Sequence, residues 1–283
     1  MHSLRHQQWP GWPPEWVGAD AVSYTTFNWD LGAAYDSVRT TYDSMVGPGE
    51  FDRMVSEQSD KLPFDIKEDV VDAFSGKIQV ATYPVANMAA ALEDSLEGGG
   101  AASAAQPVVF GLGLNDSRGL SELMDLALDG SGGMLKSRDF RGTPIYEGEN
   151  PADGSAIAAA ISGDTLLITT VVPRLESALR GPADDPMVEA PAFKEALSKM
   201  PAEVSMLSFT DQRSQAETVW GLLRSGEMSG TMDPEMAELF DEFAEALPPF
   251  EAVQPYLGIS AGYMVPDEHG ALWVSFGLET EDE

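Results

Sequence analysis

Residues 134–170 read MLKSRDFRGTPIYEGENPADGSAIAAAISGDTLLITT, and this stretch decides the fold class. Its apolar and β-branched residues come in short runs separated by Gly-containing turns at Arg141–Thr143, Asp153–Ser155 and Gly163–Asp164, the spacing of an antiparallel meander. The most apolar part, Ala156 to Val172, is interrupted by Ser162, Gly163, Asp164 and Thr165. It therefore predicts two strands of a hairpin, and no membrane span is expected.

Outward toward the N-terminus, Val108–Leu114 reads as a strand and Leu120–Leu128 as the helix after it. Residues 93–106 pass through GGGAASAA, a loop without periodicity that is expected to be mobile. Lys77–Tyr83 reads as a strand. Before it lie a helix over Glu50–Ser59, which follows the Gly47–Gly49 turn, and a helix near Ile66–Phe74 that stops at Gly76. Val22–Phe27 is a strand by its β-branched and aromatic content. Asn28 or Asp30 then caps a helix whose apolar positions Leu31, Ala34, Tyr35, Val38, Tyr42 and Met45 form one stripe, expected to be buried.

Toward the C-terminus, Pro173–Leu179 and Ala192–Met200 read as helices on either side of GPADDP at Gly181–Pro186, the expected boundary between halves. Strand Val204–Phe209 and helix Gln212–Leu223 follow. Asp233-Pro234 then opens a helix with apolar positions Met236, Leu239, Phe240, Phe243 and Leu247. Ile259–Val265 and Leu272–Leu278 form a hairpin through Asp267–Gly270.

A constant shift of 182 pairs Val22-Ser23 with Val204-Ser205, Phe27 with Phe209, Val71 with Val253, Phe74 with Tyr256 and Gly76 with Gly258. Phe110-Gly111-Leu112 matches Phe276-Gly277-Leu278 at a shift of 166, so the first copy carries 16 more residues, about the size of the Gly/Ala/Ser loop. The expected fold is α+β: antiparallel sheets with packed helices, in two pseudo-repeated halves joined by an inserted β-meander. The expected organisation is a Trp/Pro-rich arm over 1–18, a first half with the meander over 19–181, and a second half over 182–283.

With 283 residues and 43% hydrophobic content, the chain can bury a substantial core. Lys and Arg number 16 against 47 Asp and Glu, a net charge of −31 that repels nucleic acid and anionic lipid. The absence of cysteine removes disulfides and thiolate chemistry without assigning a compartment. The first twenty residues lack the apolar run of a signal peptide, which fits either a cytoplasmic protein or one whose leader has been removed.

The chemistry-bearing motifs are weak. Gly258-Ile259-Ser260-Ala261-Gly262 fits G-x-S-x-G, with Asp267 and His269 close behind. That motif needs a sharp turn between a strand and a helix, whereas here a helix precedes and a strand follows, so Ser260 is expected not to be a nucleophile. His2, His6 and His269 are the only histidines, which leaves no histidine-rich metal site. Asp184-Asp185, Asp267-Glu268 and the tail Glu279–Glu283 lack the ligand spacing of a calcium loop. Gly111-Leu112-Gly113 and Gly130-Ser131-Gly132-Gly133 lack the remaining residues of a nucleotide signature. No catalytic residue, metal site or cofactor is expected. In the arm, WPGWPPEW at 9–16 sets Trp9 and Trp12 as candidate partner contacts. The favoured alternative has the arm fold back over its own domain, with Trp12 and Trp16 docked and Trp9 left free.

EWVGADAVSYTTFNWDLGAAYDSV (15–38), DIKEDVVDAFSGKIQV (65–80), FRGTPIYEGEN (140–150) and LPPFEAVQPYLGISAGYMVPDEHGALWVSFGLE (247–279) resemble a group of long, exported, uncharacterised planctomycete proteins related to a bacterial domain of unknown function. The resemblance runs from Trp16 to Glu279. The Gly/Ala/Ser loop and the high negative charge depart from it. It implies the C-terminal part of an exported protein of the periplasm or cell envelope and brings no catalytic residues. The expected role is a non-catalytic binding or structural element, with an unknown protein or envelope component as partner. Two alternatives stand beside it, a serine- or carboxylate-dependent hydrolase and a divalent-cation-binding surface module.

Overall fold

The computed structural model describes residues 7–8, 13–85, 107–149, 156–211, 213–225, 229, 234–267 and 270–278. Among them, ten strands pair into one sheet, antiparallel throughout. They are β1 (Ser23–Asn28), β2 (Phe74–Thr82), β3 (Val108–Leu114), β4 (Lys136–Phe140), β5 (Thr143–Glu149), β6 (Ala156–Ser162), β7 (Thr165–Thr169), β8 (Met206–Asp211), β9 (Ile259–Asp267) and β10 (Gly270–Leu278). Their order across the sheet is β10-β9-β8-β1-β2-β3-β7-β6-β5-β4. The meander expected from residues 134–170 is the β7-β6-β5-β4 arm. Its β4–β5 turn holds Arg141 at φ 57° and Gly142 at φ 86°, the left-handed pair that a two-residue hairpin loop requires.

The helices are α1 (Leu31–Val46), α2 (Glu50–Ser59), α3 (Ser117–Gly130), α4 (Val172–Leu179), α5 (Pro191–Ser198), α6 (Arg213–Ser225), α7 (Pro234–Ala246) and α8 (Phe250–Val253), with a π-helical turn at Ile66–Val71. No described helix is long and apolar enough to cross a membrane. One face of the sheet carries the main core: Tyr24, Ala81, Val109, Leu167, Ala158, Ile145, Leu207, Phe209 and Ala261. Leu175 and Ala178 of α4, Phe193 and Ala196 of α5, and Val17, Ala21 and Met187 close it. Leu175 and Phe193 are fully buried, each worth roughly 1.5–3 kcal/mol relative to exposure. On the opposite face Leu120, Leu123 and Met124 of α3 cover Leu112, Leu114, Leu166 and Ile168.

The halves meet inside this sheet. β1 pairs with β8, Tyr24 opposite Phe209 and Thr26 opposite Leu207, and both halves contribute to one core. The element order strand, two helices, short helical segment, strand, strand occurs in β1-α1-α2-β2-β3, with the π-helical turn before β2, and again in β8-α6-α7-α8-β9-β10. The residue match at the first strand does not hold: Phe209 shares the core face with Tyr24, whereas Phe27 opposes Met206 and points to the other face. Because side chains alternate with period two, the shift of 182 pairs residues of opposite faces there, and the pseudo-repeat is not confirmed by the strand registers.

Three local expectations are corrected. The helix before β2 ends at Val71 in π geometry, and Gly76 lies within β2. The apolar stripe of α1 is not buried: Val38 and Met45 are exposed, and Tyr35 and Tyr42 instead pack edge-on against Phe51 of α2 at centroid distances of 5.3 and 5.7 Å. On α7, Met236, Leu239 and Phe243 are exposed while Ala244 is buried. Periodicity reports an amphipathic face but not whether another layer reaches it. The Gly/Ala/Ser loop lies outside the described residues.

Candidate functional site

A cleft of about 260 Å³ lies at one end of the sheet, lined by Asn28 to Gly32, Val71, Asp72, Phe74, Ser75 and Asn115. It forms where β1 passes into α1, the π-helical turn into β2, and β3 toward α3. Asp30 caps α1, accepting from Ala33 N–H at 2.9 Å, and Asp116 caps α3, accepting from Gly119 N–H at 2.9 Å. Asp65 caps the π turn, accepting from the N–H groups of Lys67 and Glu68, both at 2.8 Å. π turns are uncommon and recur at functional sites.

Two braces hold the walls. The Asn115 side-chain amide donates to the carbonyls of Asp72 (3.1 Å) and Phe74 (3.0 Å), while its own N–H donates to Ala73 O at 2.7 Å. Opposite, Trp29 N–H donates to Gly76 O at 2.8 Å. Gly76 has φ 85°, and a Cβ there would lie 1.9 Å from the Trp29 carbonyl oxygen. Only glycine permits that approach. The β2–β3 register slips between Phe74 and Ile78, so the strand bulges there and turns Ser75 toward the cleft.

The cleft's polar groups already have structural work. Lys67 Nζ donates to the Asp72 carboxylate at 2.7 Å, and that bond raises the Lys67 pKa above its ordinary value. Asn28, Ser75 and the half-exposed indole of Trp29 remain at the rim as hydrogen-bonding and stacking groups. This set suits a small polar molecule with one flat or apolar face. Asp30 is legible in the sequence as a cap, whereas Trp29 and Asn115 carry no such local signal. The available signal was Gly76, since a glycine inside a strand pattern marks a bulge or a close backbone approach.

The residues singled out by sequence lie elsewhere. Ser260 is the second residue of β9, in register with Thr210 and Gly277, and the strand continues to Asp267. The strand–turn–helix of a nucleophile elbow is not built there. Asp267 lies seven residues farther along, about 24 Å away at the rise of an extended strand, out of reach of the Ser260 hydroxyl. His269, Glu268, residues 279–283, Trp9 and Trp12 fall outside the described residues.

Trp16 is described, and it packs against the main core beside fully buried Val17. The segment around it is laced to the middle of the chain: Ala183 N–H donates to Glu15 O, Met187 N–H to Val17 O, and Ala19 N–H to Asp185 O. Asp185 thus lends a carbonyl to a structural turn. No group of three or more metal-ligating side chains occurs among the described residues. No family model, no curated protein and no solved structure matches the chain.

Proposed function

We propose that this protein is a non-catalytic, exported binding element of the bacterial cell envelope, and that the cleft at Trp29 and Asn115 holds its ligand, a small polar molecule. The observation that carries the reading is how the cleft is constructed. Its carboxylates and amide are fixed as caps and braces, which makes a preformed hydrogen-bonding frame beside an accessible indole. Export rests on the resemblance of residues 16–279 to exported planctomycete proteins. The same proposal includes the duplication, a strand–helix–helix–hairpin unit used twice, supported by the recurring element order.

The test combines turnover and melting. Broad ester, glycoside and phosphoester panels should be left unconverted, and calcium should leave the melting temperature unchanged. Turnover that is lost in Asn115→Ala would replace this reading with an enzyme at the same cleft. A calcium-dependent rise in melting temperature would replace it with a cation-binding module.

A further inference from the structure

The two edges of the sheet differ in chemistry. β4 at one end reads KSRDF, with Lys136, Arg138 and Asp139 exposed and Arg138 paired to Glu147 at 2.7 Å. Charges of this kind discourage another strand from adding to an edge. β10 at the other end reads GALWVSFGL, nine residues with none charged, and Leu272 and Trp273 are 58% and 45% exposed. Among the described residues no strand pairs with its outer side.

The backbone of that outer side follows from the register. Ser205 N–H donates to Met264 O at 2.8 Å, so Met264 directs its backbone polar groups away from β10. Met264 opposes Trp273, which makes theirs the pair that exchanges no ladder bonds. By alternation, Ala271, Trp273, Ser275 and Gly277 each aim an N–H and a C=O outward. Trp273 is held in place meanwhile: its indole lies across Gly262, where a Cβ would come within 2.8 Å of Cζ2. A held, half-exposed indole at an open edge is a ready neighbour for a side chain on an added strand.

We propose that β10 is a docking edge for an extended segment of another protein, apolar in its middle and carrying Lys or Arg at both ends, which adds as an eleventh, antiparallel strand. Charge selects this occupant. Asp267-Glu268 precede the strand and Glu279, Glu281, Asp282 and Glu283 follow it, within a chain of net charge −31. A second copy paired edge to edge would bring one acidic flank against the other, whereas a segment with basic ends meets complementary charge at both. The proposal is independent of the cleft and stands whether or not that site binds.

The probe is the labelled peptide Lys-Lys-Thr-Val-Thr-Val-Thr-Lys-Lys, followed by fluorescence anisotropy at physiological salt. Ser275→Pro removes an outward N–H that no internal ladder bond uses, so the fold should survive with an unchanged melting temperature. Binding to the native protein, weakened about tenfold or more by Ser275→Pro and abolished by N-methylation of alternate peptide amides, is the expected result. A Glu-ended peptide of the same core should not bind. No binding, or equal binding to Ser275→Pro, would overturn the proposal. So would a native dimer that Ser275→Pro converts to monomer, which would make a second copy the occupant.

Discussion

Replacing Gly76 by alanine tests the cleft's frame through its tightest contact. The new Cβ would occupy backbone at φ 85° and would lie 1.9 Å from the Trp29 carbonyl oxygen. The left-handed conformation alone costs a non-glycine residue about 1–2 kcal/mol. Relieving the overlap requires about 1 Å of backbone movement, since real Cβ contacts do not fall below about 3 Å. That movement breaks the 2.8 Å bond from Trp29 N–H to Gly76 O, for about 1 kcal/mol more, with further strain at the β1–α1 junction. The two quantified costs come to about 2–3 kcal/mol, and the junction strain adds to them. Gly49→Ala is the control: its φ is 77° but nothing lies within 4 Å of the new Cβ, so only the conformational cost of about 1–2 kcal/mol applies. Urea unfolding followed by circular dichroism should separate the two variants by about 1 kcal/mol or more. Equal destabilisation would refute the close approach of Trp29 to Gly76 and with it the cleft's geometry.

Further outcomes follow from other parts of the sheet. Thr25 and Ser208 face each other across the β1–β8 seam, and Asn28 N–H donates to Ser205 O, which places Thr25 and Ser208 at a pair without ladder bonds. In this cysteine-free chain, Thr25→Cys with Ser208→Cys should oxidise to an intramolecular disulfide, whereas Thr25→Cys with Leu207→Cys should not, as read by mass spectrometry. Tyr83 is buried, and burial first, then Asp20, pushes its pKa up to about 12. A raised folded value means the stabilisation is complete below the unfolded pKa of about 10 and is lost as pH rises toward 12. Tyr83→Phe should therefore flatten the decline in urea midpoint across that window, and an identical decline would count against it. A fluorophosphonate probe should leave Ser260 unlabelled, because its strand provides neither elbow nor nearby base; stoichiometric labelling lost in Ser260→Ala would contradict this.

Much of the architecture was written locally. The Arg141–Thr143 and Gly163–Asp164 turns fixed the meander's hairpins because two-residue loops demand particular backbone signs, and Val108–Leu114 and Glu50–Ser59 carry their own bounds in composition. What was not legible depends on distant partners. Nothing in Val38, Met45 or Leu239 reveals that these side chains are exposed, since spacing defines a face and not its neighbour. Phe27 and Phe209 looked equivalent by identity, yet the β1–β8 register sends them to opposite faces. The cleft was half visible: Asp30 announced itself as a cap, whereas Asn115 acts through carbonyls more than forty residues away, which no short window contains.

Binding without conversion is read most directly at Trp29. The native protein and Trp29→Phe are titrated with monosaccharides, amino acids and nucleosides while indole emission is followed, and each compound is then recovered for mass spectrometry. The account predicts that at least one compound shifts the emission of the native protein, leaves that of Trp29→Phe unchanged, and is recovered intact. A response that persists in Trp29→Phe would remove the cleft as the site, and a compound recovered as product would contradict the non-catalytic reading itself.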